Sequence, residues 1–386
     1  MIIDSLLDTD LYKFTMQQVV FHQWPDVMVE YQFQLRSESV DLTPLAGAIR
    51  TAIDQLACLR LRESERAYLT QLPFMQADYL DYLMRLRLDP HQVIITTEPK
   101  FALTIRGPWL DTILFEIPCL AIMHELYARQ VAPRSDFIEG RRRLQEKIAY
   151  VQQMADNEHF QFADFGTRHR FSRAWQQEVV QTLAAQLPRH VCGTSNVALA
   201  KKLRLAPMGT MAHEFIQAFQ ALAPTLRASQ RHAWRSWLQE YPHHLGIVLS
   251  DTLNLACFLH DFEGEFARQF QGVRQDSGDP IAWGQQVLHL YRYNSIDPLD
   301  KTLVFSDSLT MEKAQRIYQQ FHQQTQVMFG IGTHLTNDLG VGRFDCVIKM
   351  TECNGQPVAK ISDSPGKIIC KDPAYLQRLQ TVVQQG

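Results

Sequence analysis

Residues 272–279 read GVRQDSGD, and the next stretch of the same kind, 303–308, reads LVFSDS. In each, a few apolar residues end in a cluster of carboxylates, hydroxyls and glycine, and a segment with helical spacing follows. So short an apolar run suits a strand buried on both faces, and the polar cluster marks its end. Outward from this pair lie GIVLSDT at 246–252 and VMFGIGTHLTND at 327–338, and farther back LAPMGTMAHE at 205–214, HVCGTSN at 190–196 and FQFADFGTRHR at 160–170. Most intervals between these clusters fit one strand plus one crossover helix, the repeating unit of a parallel sheet. Seven such units predict an irregular α/β barrel over residues 126–340. In that architecture ligands bind at the C-terminal ends of the strands, where these clusters fall. One Ser-Asp after a strand is a turn, but seven clusters rich in Arg, Asp and Thr describe a common mouth.

The flanks read differently. LYKFTMQQVVFHQW at 11–24 has helical spacing, VMVEYQFQL at 27–35 alternates like a strand, and VIITTEPKFALTIRGP at 93–108 reads as a hairpin broken at Pro99. One long helical region is predicted from Trp109 to Asn157. After residue 340, CVIKMTECNGQPVAKISDSPGKI reads as a hairpin turning at Asn354-Gly355, with no barrel helix after it. The tail is therefore expected to pack back on the N-terminal part, giving a discontinuous α+β domain of 1–125 with 341–386.

The totals narrow the function classes. With 386 residues and 46% apolar content the chain can bury a large core. A formal charge of -3 gathers no nucleic acid. No run of 18 apolar residues predicts a membrane span, and the N-terminus has no basic-then-apolar leader pattern. Seven cysteines without a C-x-x-C pair point to reduced thiols in a cytoplasmic protein and away from a structural zinc site.

The strand ends carry the chemistry. In PMGTMAHEF, at 207–215, a zinc helix would need a second histidine where Gln217 stands, so the zinc reading fails and His213 by itself reads as a histidine hydrogen-bonded at a helix start. Gly330 and Gly332, ahead of Thr333, would let the backbone approach a phosphate at a helix start. RQDSGD combines Arg274, Asp276, Ser277, Gly278 and Asp279. Its guanidinium suits a carboxylate or phosphate, and its carboxylates suit Mg²⁺ held largely through phosphates. Asp251 and Asp307 repeat the theme after Ser250 and Ser306. Phe165 can stack on a flat ring beside Arg168, and Lys360, Ser362 and Lys367 in the tail can add donors. No Walker phosphate loop is present.

Together, LDTDLYKFTM, DFGTRHR, GTSN, PMGTMAHE, VRQDSGDP, VFSD, FGIGTHLTND and KISDSPGK resemble the signatures of the nicotinate phosphoribosyltransferase family, in that family's order, from residue 7 to 367. The resemblance implies a two-domain type II phosphoribosyltransferase fold, a homodimer with shared sites, and a place in NAD salvage. It implies nicotinate, 5-phosphoribosyl 1-pyrophosphate and ATP as substrates, with Mg²⁺. Tyr12 of one subunit and Phe165 of the other would sandwich the pyridine, and Arg274 would face its carboxylate. Asp276 and Asp251 would orient the ribose or the metal-bound pyrophosphate, with Asp276 and Asp279 as candidate metal contacts. Arg168, Gly330, Gly332 and Thr333, with Arg36, Lys360 and Lys367, would hold phosphates, and Thr194, Ser277, Gly278 and Ser306 would line the substrate site. Ser195 stands where amide-using relatives tend to carry aspartate, which favours the acid. His213 would be transiently phosphorylated by ATP, with Glu214 as a candidate orienting partner, although adjacent helical residues do not face each other. The alternatives are a nicotinamide-specific enzyme and a non-catalytic metabolite-binding relative.

Overall fold

The computed structural model describes residues 1–37, 39–132, 137–363 and 368–384. Strands β1 (Met28–Leu35), β2 (Val93–Thr96) and β3 (Ala102–Pro108) come from the N-terminal part. The middle supplies β4 (Gln161–Asp164), β5 (Val191–Thr194), β6 (Ile247–Leu249), β7 (Gly272–Gln275), β8 (Thr302–Phe305) and β9 (Gln326–Ile331). The tail adds β10 (Cys346–Cys353) and β11 (Gln356–Pro357).

The middle strands form one parallel sheet in the order β5-β4-β9-β8-β7-β6. The first in sequence, β4, pairs with the last, β9, so the sheet curls round on itself. Its interior is aromatic: Phe305 and Phe329 lie 5.9 Å apart between ring centroids, and Phe160 packs 5.2 Å from Phe329.

Seven strands were expected, and the described residues contain six in this sheet. The unit at 205–214 is an extended stave without a ladder. It makes an isolated parallel bridge from Pro207 to Thr194, with Met208 N donating to Thr194 O at 2.9 Å. On its other side Thr210 Oγ1 donates to Ile247 O of β6 at 2.6 Å. Pro207 has no N–H to give and Gly209 adopts φ 135°, which together break regular pairing. Gly193 permits this close approach, because a Cβ there would lie 2.2 Å from Ala206 O.

The second sheet is antiparallel, in the order β11-β10-β1-β3-β2. N-terminal β1 pairs with β10 from Leu35↔Cys346 to Val29↔Cys353, so the tail does return to the start of the chain. Its hairpin turns on Asn354 and Gly355, at φ 47° and 76°, the left-handed pair that a two-residue turn requires. The long helical region predicted from Trp109 has three helices among the described residues, Trp109–Thr112, Glu116–Val131 and Ile138–Gln153.

The N-terminal segment is fastened to the barrel mouth. Fully buried Arg170 forks onto Asp8 at 2.7 and 2.8 Å, and Leu11 N donates to Ser195 O at 2.8 Å. Breaking a buried pair of this kind costs about 3–5 kcal/mol. The anchor sets Asp10 and Tyr12 beside the strand ends.

Candidate active site

A cavity of about 580 Å³ opens where the parallel strands end, its lining completed by Lys349 of β10 and Lys360 beyond β11. His213 begins the helix His213–Leu222 that leaves the irregular stave, and its Nε2 lies 2.8 Å from Asp251 Oδ1 at the end of β6. Asp251 Oδ2 accepts from Ser277 Oγ at 2.7 Å and from Lys360 Nζ at 2.8 Å. Burial would raise the Asp251 carboxyl, but His213 and Lys360 outweigh it and hold the group well below the usual carboxylate range. An ionised carboxylate only accepts, so Nε2 of His213 carries the proton. Burial first, and then the Lys360 charge, push the imidazole down to about 4 against the pull of Asp251. His213 is therefore neutral at pH 7, and its Nδ1 has no hydrogen-bond partner among the described residues.

The neighbouring strand end is built differently. Asp276, after β7, accepts from Ser306 Oγ at 3.1 Å, lies 3.8 Å from Arg274 Nη2, and has a side chain 26% exposed. Burial pushes its carboxyl up, and Arg274 and His213 more than reverse that. Arg274 Nε is buried without an acceptor among the described residues.

Residues 160–386 match the model described as the nicotinate phosphoribosyltransferase (NAPRTase) family, and 7–124 match that of its N-terminal domain. The chain belongs to the NAPRTase family. The nicotinate phosphoribosyltransferase of Acidovorax sp. (strain JS42) is 50% identical across 100% of this chain and 99% of its own length. That of Cupriavidus necator is 49% identical across 99% and 98%. Among solved structures, the enzyme from Vibrio cholerae superposes with TM-score 0.95 at 38% identity, covering 99% of this chain and 94% of that one. The enzyme from Porphyromonas gingivalis gives 0.93 at 31% identity, covering 99% and 100%.

Of the residues that the NAPRTase resemblance singled out, Tyr12, Arg36, Phe165, Arg168, Ser195, His213, Arg274, Asp276, Ser306, Gly330, Gly332, Thr333 and Lys360 line this one cavity. Asp251 and Ser277 stand behind His213. Thr194 is buried, giving its hydroxyl to Asp164 at 2.8 Å, and Gly278 turns the backbone at φ 78°. Asp279 caps the helix Pro280–Tyr293 by accepting from Ala282 N at 2.7 Å, so its carboxylate serves the backbone and lies off the cavity lining. Lys367 lies outside the described residues. Gly330 makes room for a side chain, because a Cβ there would come 2.3 Å from the Phe165 ring.

Glu214 is not the partner of His213. It faces the other way, pairing with buried Lys13 and accepting from Tyr31 OH and Trp109 Nε1 at 3.2 Å each. Lys13 also holds Glu116 at 2.6 Å, and Glu116 reaches Arg168 at 4.0 Å. Sequence reasoning missed this network and also Asp10, which accepts from Ser195 Oγ at 2.7 Å and lines the cavity. The available signal was Lys13 itself, a lysine on the face of an otherwise buried helix. Among the described residues two groups have metal-ligand spacing, His213–Asp251–Asp276 and His124–His169–Cys346. In the second, burial first and then the Arg168 charge push His124 down to about 3.

Proposed function

We propose that the chain joins nicotinate to 5-phosphoribosyl 1-pyrophosphate, giving nicotinate mononucleotide and pyrophosphate for NAD salvage, with ATP and water consumed and ADP and phosphate released through phosphorylated His213. The observation that carries the ATP-coupled reading is the Asp251–His213 pair: an ionised acceptor fixes the proton on Nε2 and leaves the Nδ1 lone pair of a neutral imidazole for attack. Nδ1 would attack the γ-phosphorus of ATP as the bond to ADP breaks, and water would later return the phosphoryl group as phosphate. Family membership and the names of the full-length relatives support the glycosyl transfer.

In that transfer the pyridine nitrogen adds to the anomeric carbon as the bond to pyrophosphate breaks. The ring nitrogen carries no proton, so no protein base is needed. Phe165 supplies a face for the ring, and Arg274 Nε supplies the unsatisfied donor for its carboxylate. Mg²⁺ fits Asp276, whose half-open carboxylate offers oxygen ligands, and fits Asp251 poorly, since its oxygens are taken by three donors. When bound, the ion would neutralise charge on the departing pyrophosphate. We read the working form as a cytoplasmic homodimer with shared sites.

A nicotinamide-specific enzyme is the second reading, and one observation favours it: Asp10 keeps a carboxylate behind Ser195. Turnover of both pyridines decides, with the acid expected to be the faster. For the phosphoryl step, γ-labelled ATP should give an acid-labile, alkali-stable phosphoprotein that His213→Asn abolishes. Equal labelling of the variant would exclude His213, and no labelling of wild type would exclude the coupling.

A further inference from the structure

Lys349 stands in β10 opposite Gln32 of β1 and lines the cavity. Every other described lysine or arginine on that lining has at least one protein partner, although Arg274 keeps its Nε unpaired among the described residues. Arg36 lies 3.6 Å from Asp345, Arg168 4.0 Å from Glu116, Arg274 3.8 Å from Asp276 and Lys360 2.8 Å from Asp251. Arg343 donates to Asn337 O at 3.4 Å. Among the described residues the side chain of Lys349 alone of this set makes neither a hydrogen bond nor an ion pair.

Its surroundings explain why that matters. Glu116 and Arg168 face it from one group of elements, and Lys360 and Asp276 from another, while its charge is felt at His213. Both carboxylates are already engaged, Glu116 by Lys13 and Asp276 by Ser306 and Arg274. A partly buried ammonium beside two like charges, with no acceptor of its own, is a cost to the fold that an arriving anion removes. An ammonium carries three donors and no acceptor, which suits the oxygens of a phosphate.

We infer that Lys349 is an anion-binding residue of the active site, holding pyrophosphoryl or phosphoryl oxygens between Arg168 and His213. Two sources share that chemistry: pyrophosphate, and the group passed from ATP to His213. The second source rests on the reading of His213 given above, whereas the first does not.

Calorimetry with inorganic pyrophosphate and Mg²⁺ tests the first source. Lys349→Met should weaken binding roughly tenfold or more at pH 7, and Lys349→Arg should restore most of it. Lys349→Gln, which keeps a polar tip, must show the same loss as Lys349→Met, which separates lost charge from misfolding. Burial pushes the ammonium down to about 8. Wild-type affinity should therefore fall relative to Lys349→Arg as pH rises from 7 to 9.5, a comparison in which the titration of pyrophosphate itself cancels. The second source is read from the rate of His213 labelling by γ-labelled ATP, expected to drop at least about tenfold in Lys349→Met. A loss in either assay supports the inference and says which anion is held. Unchanged pyrophosphate affinity together with unchanged labelling overturns it. If wild type never labels, the phosphohistidine reading fails while the pyrophosphate measurement still decides the role of Lys349.

Discussion

Asp251 and Asp276 follow neighbouring parallel strands, two residues and one residue past the ladder, and both border His213, yet the fold uses them in opposite ways. Asp251 is 1% exposed, and its oxygens are filled by a histidine, a serine and a lysine. Asp276 is 26% exposed; it accepts from a serine hydroxyl at one oxygen, and His213 and Arg274 stand 3.7 and 3.8 Å from the other. A carboxylate buried among three protein donors positions those groups, whereas one on the cavity lining with its side chain part-exposed can also face a ligand. The same residue type at adjacent strand ends thus divides the labour: Asp251 sets the tautomer of His213, and Asp276 faces the ligand.

The sharpest way to break this contrast is Asp251→Asn. It leaves Lys360 buried beside an amide and lets His213 adopt the other tautomer. Stability should fall by about 3–5 kcal/mol in urea unfolding, and ATP labelling of His213 should be largely lost even in folded protein. Acid should act next. The folded imidazole titrates near 4, below the roughly 6.5 of an unfolded histidine, so the stability gained from burying it neutral is full above about pH 6.5 and is lost as pH falls towards 4. The loss should reach the order of 3 kcal/mol, read from urea midpoints, and His213→Asn should flatten the curve across that window. Asp251, whose carboxyl is held low, adds its own loss only below the roughly 3.9 of an unfolded aspartate.

A third strand end gives a packing counterpart. Gly330→Ala forces the Phe165 ring aside, and should cost about 1–3 kcal/mol while raising the KM for nicotinate more than it changes kcat. Asp276→Asn should move stability least, by less than about 1 kcal/mol. Its effect should appear instead as a raised Mg²⁺ requirement and a raised KM for 5-phosphoribosyl 1-pyrophosphate. A large stability loss there would erase the distinction from Asp251.

The strand ends were legible because each is local: a buried apolar run and its polar stop are adjacent in sequence. Asp279, expected as a metal contact, was missed as a cap although the signal was equally local: an acid just before a helix-start proline. Groups defined by long-range contact were hidden. The partner of His213 is 38 residues away, and Glu214, its neighbour in sequence, points into a different network. Lys349 lies in an alternating strand of the other sheet, where a lysine reads as solvent-facing. The stave at 205–214 was taken for a strand because its pattern matches the others, while Pro207 and Gly209 decide its actual pairing.

By itself the sequence determined the repeating strand-helix plan, the polar mouth, the returning tail hairpin and the strand-end residues on the cavity wall, because periodicity and turn chemistry act within a few residues. Only the tertiary structure decided which carboxylate orients His213, which glycine yields to an aromatic ring, and which cavity lysine has no side-chain partner among the described residues. Those depend on burial and on distances between elements that the chain brings together only when folded.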